Sequence, residues 1–156
     1  MIDIEKVIND TDIEKVREWL KTFPKFSDIS NFSVDYTDHI PANGGIFPSG
    51  LVEISRTEDI IGNVTVENQY NFGLYYVFSK APEDDVGAML NADWIMEFQQ
   101  WVQEQSVLGK APTFGNTGEK EKAAAQNGVL YEADIEGTAT YMVQLSFNFK
   151  KKYEVN

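Results

Sequence analysis

Seven apolar or aromatic side chains fall on one parity between Val64 and Phe78: Val64, Val66, Tyr70, Phe72, Leu74, Tyr76 and Phe78. Side chains alternate between the two faces of a strand, so this pattern commits the segment to β-structure with one buried face. Fully extended, it would span about 50 Å, longer than an ordinary strand. Two geometries satisfy that length. The chain either turns as a hairpin at Glu67-Asn68-Gln69 or runs as one long strand bent at Gly73. Tyr75 and Val77 lie on the second face of the far half, which predicts cover on both sides there. A second alternation lies near the C-terminus. Tyr141, Val143, Leu145, Phe147 and Phe149 share one face, and Thr140, Met142, Gln144, Ser146 and Asn148 the other.

Shorter signals fill in the rest. Phe32, Val34 and Tyr36 alternate with polar residues, as do Val52 and Ile54, and each set predicts a strand. His39 to Gly50 holds two prolines and three glycines and is expected to be a loop. Thr11 and Glu14 have the spacing of a capping box, and Ile13, Val16, Leu20 and Phe23 form one apolar stripe up to Pro24. A longer helix is expected from about Asp84 to Val107. Its stripe is Val86, Leu90, Trp94, Phe98 and Val102, widened by Met89, Ile95 and Trp101. Residues 109–128 are rich in glycine and charge and are expected to form a mobile loop, with a turn or two of helix at Lys120–Gln126. A short strand over Val129–Asp134 and a turn at Glu136-Gly137 follow. The order of helix, strands, helix, strands lacks a βαβ alternation. It predicts one α+β domain over residues 1–156, with a mainly antiparallel sheet of about four to five strands packed by two main helices.

Composition narrows the function classes. The formal net charge of −12 repels nucleic acid and anionic membrane surfaces. With no cysteine, thiolate chemistry and Cys-ligated zinc are excluded. No signal peptide or membrane-spanning run is expected, which points to the cytosol. His39 is the sole histidine, in Asp38-His39-Ile40-Pro41-Ala42-Asn43-Gly44. This resembles the His-x-x-x-Asp-Gly motif of chloramphenicol-type acetyltransferases, but Asn43 stands where that motif has Asp. Glu83, Asp84 and Asp85 have no EF-hand spacing and suit a helix start better than a cation. No catalytic residue, metal site or cofactor is therefore expected. Lys150-Lys151-Lys152 reads as a blocked sheet edge or a weak contact for nucleic acid or an acidic partner. Trp94 and Trp101, seven residues apart, carry more apolar surface than a single stripe needs, which makes them candidates for a subunit interface.

The C-terminal half carries a resemblance. Its residues are Ala92-Asp93-Trp94-Ile95-Met96-Glu97-Phe98-Gln99-Gln100-Trp101, the Gly-rich stretch Pro112 to Gly118, Ala123-Ala124-Ala125-Gln126-Asn127-Gly128, and Gly137 through Phe149. Over roughly residues 85–155 the chain is similar to the small minor capsid proteins of tailed phages of Gram-positive bacteria, which resemble tail terminators. The resemblance implies an α+β protein forming a homo-hexameric ring. Such a ring caps the tail tube, stops its growth, meets the head-tail connector protein and lets DNA through its lumen without specific binding. It also implies a virion tail protein assembled in the bacterial host cytoplasm, with no membrane contact.

For such a ring three regions are candidate contacts: the helix through Trp94 and Trp101, the strand through Leu74, Tyr76 and Phe78, and the 109–128 loop. Phe114, Lys120 and Lys122 of that loop, with Lys150, Lys151 and Lys152, are the expected contacts to the tail tube protein or connector. Readings from other classes are another head-tail joining or tail tube protein, a small acidic protein-binding module, and an enzyme working through His39.

Overall fold

The same-parity run lies in one uninterrupted strand, Val64–Ser79, at the centre of a five-stranded sheet. The computed structural model describes residues 11–35, 37, 41–80, 84–133 and 137–155. In chain order the elements are α1 (Asp12–Leu20), a 3-10 turn (Phe26–Asp28), β1 (Asn31–Val34), β2 (Asn43–Glu58), β3 (Val64–Ser79), α2 (Asp85–Val107), β4 (Lys122–Ala133) and β5 (Thr138–Tyr153). The strand order is β1-β2-β3-β5-β4. Only β1 and β2 run parallel. This is an α+β fold with a mostly antiparallel sheet.

β3 needs no turn at Glu67-Asn68-Gln69 because equally long neighbours flank it. β2 pairs with it from Asn43↔Val77 to Glu58↔Val64, and β5 from Ser79↔Thr138 to Val64↔Tyr153. Gly73 stays within the strand, opposite Phe47 and Gln144. The irregularities fall in β2 instead, between Pro48 and Gly50 and between Glu53 and Ser55. Gly50 adopts a φ of +89°, which a residue with a Cβ rarely takes.

Both helices pack on one face of the sheet. Thr11 Oγ1 accepts the Glu14 N–H at 3.2 Å and caps α1. Val16 and Leu20 are fully buried, and Ile13 and Phe23 join them. Asp84 caps α2 by accepting the Gly87 N–H at 2.9 Å. That supports the helix-start reading for Asp84 and Asp85; Glu83 lies outside the described residues. Phe98 and Val102 meet Leu74, Tyr76, Val143 and Leu145 in the core. On the opposite face Val77 is also fully buried, and Tyr75 packs edge-on against Phe47 and Tyr131.

Four expectations change. Val86, Met89 and Leu90 do not bury with the rest of the α2 stripe and are more than 60% exposed. Asn91 donates to the carbonyl of Ser79, the last residue of β3, so the helix before it overhangs the end of that strand. Residues 43–50 are strand rather than loop. At Gly44 a Cβ would lie 3.1 Å from the Tyr75 carbonyl oxygen and 3.2 Å from the Tyr76 ring, so glycine is there for close approach. Pro48, lacking an N–H, sits at a bulge beyond the end of β1 pairing, where no ladder bond is lost.

Residues 122–126 open β4 instead of forming a helical turn. Their alanines favour helix locally, but Ala123 is buried beneath α2 and its N–H donates to Ser106 Oγ at 3.0 Å. The strand expected at Val129–Asp134 is correspondingly longer at its start. The loop that remains, residues 108–121, is tied down. Glu121 accepts the N–H groups of Phe114 and Gly115 at 2.7 and 3.0 Å, and Asn116 both donates to and accepts from the Lys152 backbone.

Candidate interaction surfaces

Of the residues expected at a subunit interface, Trp94, Leu74 and Tyr76 are interior, whereas Trp101 and Phe78 are half-buried. Trp94 is 5% exposed, and its indole N–H donates to Asp28 Oδ2 at 3.1 Å. Leu74 and Tyr76 are wholly buried. β3 is paired along both edges, so it has none left to extend into a neighbouring subunit. Phe78 packs against Trp94 and Tyr141, and Trp101 stacks on Trp19. The bulk of these aromatics satisfies the chain's own two-helix layer, and little of it remains for a partner. Phe114, expected at a partner, is buried against Tyr70, Phe147 and Phe149.

The lysines divide. Lys120 Nζ donates to the Val107 carbonyl at 2.7 Å, at the negative end of the α2 dipole. Lys150 pairs with Glu119 at 3.1 Å. Lys122 and Lys152 are exposed, and Lys151 is half-buried. His39 lies outside the described residues. Asn43, the departure from the acetyltransferase pattern, is buried and accepts from the Asn31 amide at 2.9 Å. Among the described residues no three His, Asp or Glu side chains gather as metal ligands, and no helix is long and apolar enough to cross a membrane.

Exposed apolar groups lie elsewhere. β1 covers β2 only over Asn43–Ile46. Beyond it, β2 and β3 run out as an arm, backed by the last residues of β5. Every residue from Ser49 to Ile61 is exposed, including Leu51, Val52 and Ile54. The connection at the tip is a built turn. Asp59 Oδ1 accepts the N–H groups of Ile61 and Asn63 at 3.1 and 2.9 Å, and the Asp59 N–H donates back to the Asn63 carbonyl at 3.0 Å. Gly62, at φ +93°, closes the turn, and Asn63 Oδ1 accepts from Val155 N–H at 3.2 Å. This scaffold holds two adjacent isoleucines in water: Ile60 is 103% exposed and Ile61 68%. Alternation patterns register strands, so a short apolar pair in a turn carries no periodic signal, and the sequence reading passed over it.

At the base of the arm is an apolar depression of about 290 Å³, lined by Ile13, Pro48, Gly50, Tyr70 and Phe72 with Thr11, Asp12 and Asn71. Its main polar group is already satisfied. The Tyr70 hydroxyl donates to Asp12 Oδ2 at 2.7 Å, and burial, then this bond, pushes its pKa up to about 12. On the sheet face away from the helices a groove of about 450 Å³ is lined by Gln69, Asn71, Gln126, Gln144 and Ser146 beside Phe47, Tyr75 and Met142. Its amides are uncharged and partly paired with neighbours, Gln69 to Asn148 and Asn127 to Gln144.

Comparison with protein-family models finds no match, and comparison with curated proteins finds none.

Proposed function

We propose that this chain is a structural protein of a tailed-phage virion, a tail terminator that assembles as a ring, caps the tail tube and joins it to the head connector. The observation that carries the reading is the likeness of residues 85–155 to the minor capsid proteins of phages of Gram-positive hosts. Those residues form one packed unit of α2, β4 and β5, and the α+β architecture is compatible with such a subunit. The exposed arm with its apolar tip supports assembly, because exposed apolar groups on a rigid scaffold mark contact sites. The charge of −12 supports a lumen that DNA traverses without sticking.

Light scattering over a concentration series, with negative-stain imaging, tests the reading in the presence and absence of tail tubes. A closed ring near six times 17.7 kDa, together with arrested tube growth, is the expected result. Tubes that keep growing in the presence of excess protein would overturn it.

A further inference from the structure

We infer that the groove on the sheet face away from the helices is a binding site for a neutral oligosaccharide. The inference is independent of the assembly proposed above and concerns a different surface. One cross-strand row forms the middle of the groove: Phe47 of β2, Gly73 of β3, Gln144 of β5 and Gln126 of β4. Gly73 is its floor. Its φ lies outside the left-handed range, and a Cβ there would meet Tyr75 and Phe47 only at ordinary contact distances of 3.6 and 4.0 Å. Neither the backbone nor a neighbour therefore requires glycine, although glycine weakens a strand interior. A glycine so placed marks a spot where something else approaches the sheet.

Two bulges shape the walls, and bulges re-aim side chains next to functional sites. In β2 Pro48 pairs with Phe72 and Gly50 with Asn71, so Ser49 is the extra residue, and it lines the groove. In β4 the register shifts between Gln126 and Val129. Asn127, at φ +57°, lies in that bulge and donates to Gln144 Oε1 at 2.8 Å. That bond leaves the Gln144 amide N–H groups for a ligand. Gln69 is oriented the other way: its Nε2 donates to Asn148 Oδ1 at 3.0 Å, which leaves its carbonyl oxygen as an acceptor. Among the described residues the side chains of Asn71 and Gln126 have no hydrogen-bond partner and offer both donors and an acceptor.

The chemistry of the lining selects the ligand. None of the described residues that line the groove is charged, so a phosphate, carboxylate or metal ion would find no counter-charge there. Charges stand beyond its end, with Lys122 beside Asn148 and Glu67 opposite Lys150. An apolar ligand would cover the amides without pairing them. An extended peptide takes main-chain bonds from a sheet edge, and the floor strands β3 and β5 are paired on both sides. Sugar hydroxyls each donate and accept, which matches a lining of amides and hydroxyls. The C–H groups of a sugar ring also pack on aromatic rings, whose faces are electronegative. Phe47 and Tyr75, half-buried and near-perpendicular with centroids 5.0 Å apart, supply such a surface at one corner. The volume of about 450 Å³ lies in the ordinary range for small-molecule sites. The rows from Gln69 to Tyr75 run about 20 Å along the strands, room for a few linked rings.

Titration of the purified chain with cellohexaose, maltohexaose and N-acetylchitohexaose, followed by calorimetry and amide chemical shifts, tests the assignment. At least one is expected to bind, with the shifts centred on Gly73, Gln126 and Gln144. Gly73→Thr fills the floor with a strand-favouring residue. It is expected to unfold at an unchanged or higher urea concentration and to weaken binding at least about tenfold. Gln144→Ala, at an exposed position, is expected to weaken binding about three- to tenfold through the loss of one hydrogen bond, and it decides alone if Gly73→Thr does not fold. Binding to none of the three up to the solubility limit overturns the assignment, as does binding that both variants leave unchanged. Preference for a sulfated over a neutral glycan overturns it by moving the ligand to the lysines beyond Gln69. Shifts at the same residues that follow protein concentration alone overturn it by giving the groove to a second copy. Ring formation on tail tubes is read separately, so failure of either proposal leaves the other standing.

Discussion

Trp19 of α1 stacks on Trp101 of α2, with ring centroids 4.9 Å apart and planes inclined by 23°, while its indole N–H donates to Gln105 Oε1 at 3.1 Å. The pair joins the two helices above the sheet and carries Phe23 and Phe147 on its flanks. Trp101→Ala is therefore a stability variant. It is expected to cost about 3 kcal/mol, the lower end for a large aromatic because the ring is only half-buried. Urea unfolding at two protein concentrations checks this. An equal loss at both locates the effect inside the subunit, whereas a loss that vanishes on dilution would return Trp101 to an interface.

Glu121 holds the connection between α2 and β4 with one carboxylate and two backbone donors. Glu121→Ala leaves the N–H groups of Phe114 and Gly115 without that acceptor. Its expected cost is about 1–3 kcal/mol. Hydrogen exchange provides the local reading: the Phe114 and Gly115 amides should exchange faster, and those of β3 should not. Unchanged exchange at both amides would count against the carboxylate as the clamp.

Gly128 passes directly under α2. A Cβ there would lie 2.5 Å from Gln99 Oε1 and 2.6 Å from Ile95 Cγ2. Gln99 can swing aside, but Ile95 is buried and cannot. Gly128→Ala is expected to destabilise by about 1–3 kcal/mol through overpacking. Ile95→Ala, which removes Cγ2, should cost less in the Gly128→Ala background than in the parent, and a strictly additive double variant would show that the two positions do not press on each other.

The Tyr76 hydroxyl is fully buried and has no hydrogen-bond partner among the described residues. Tyr76→Phe removes that unsatisfied group and is expected to stabilise by about 1 kcal/mol. Burial also raises the Tyr76 pKa far above its ordinary value of 10, and Tyr70 is raised to about 12. Below pH 10 both phenols are neutral in the folded and unfolded chains, and their contribution is complete. Above it the unfolded chain releases protons that the folded chain keeps, so stability falls between about pH 10 and 12 and beyond. Tyr76→Phe should flatten that decline, and an identical slope in the variant would assign it to other groups.

Side-chain periodicity located the main elements, although it left a hairpin and one long strand both open over Val64–Phe78 and placed the exposed Val86, Met89 and Leu90 on a buried stripe. The parity of Val64–Phe78 and Tyr141–Phe149 identified β3 and β5, and the cap at Thr11 located the start of α1. Composition misled where tertiary contact overrides local preference. Gly44 and Pro48 read as loop because nothing local reveals that Tyr76 will press on one and that the other lies past the end of β1. Ala123 to Ala125 read as helix because nothing local reveals α2 lying above them. The candidate contacts suffered from the same blindness. Large aromatics suggest both cores and interfaces, and only the fold shows that Trp94, Leu74 and Tyr76 are spent inside. Ile60 and Ile61, two residues in a turn, became conspicuous only once their exposure was known.

β5 lies between β3 and β4, although it follows both in the chain. During synthesis, then, β3 and β4 leave the ribosome with the space between them vacant. The side chains that fill it, Val143, Leu145 and Phe147, arrive after every other described element. A nascent chain halted before Thr138 should stay open to protease, and release of the remaining residues should close the core in one cooperative step. The strand that holds the sheet together is thus also the one that sets when folding can finish.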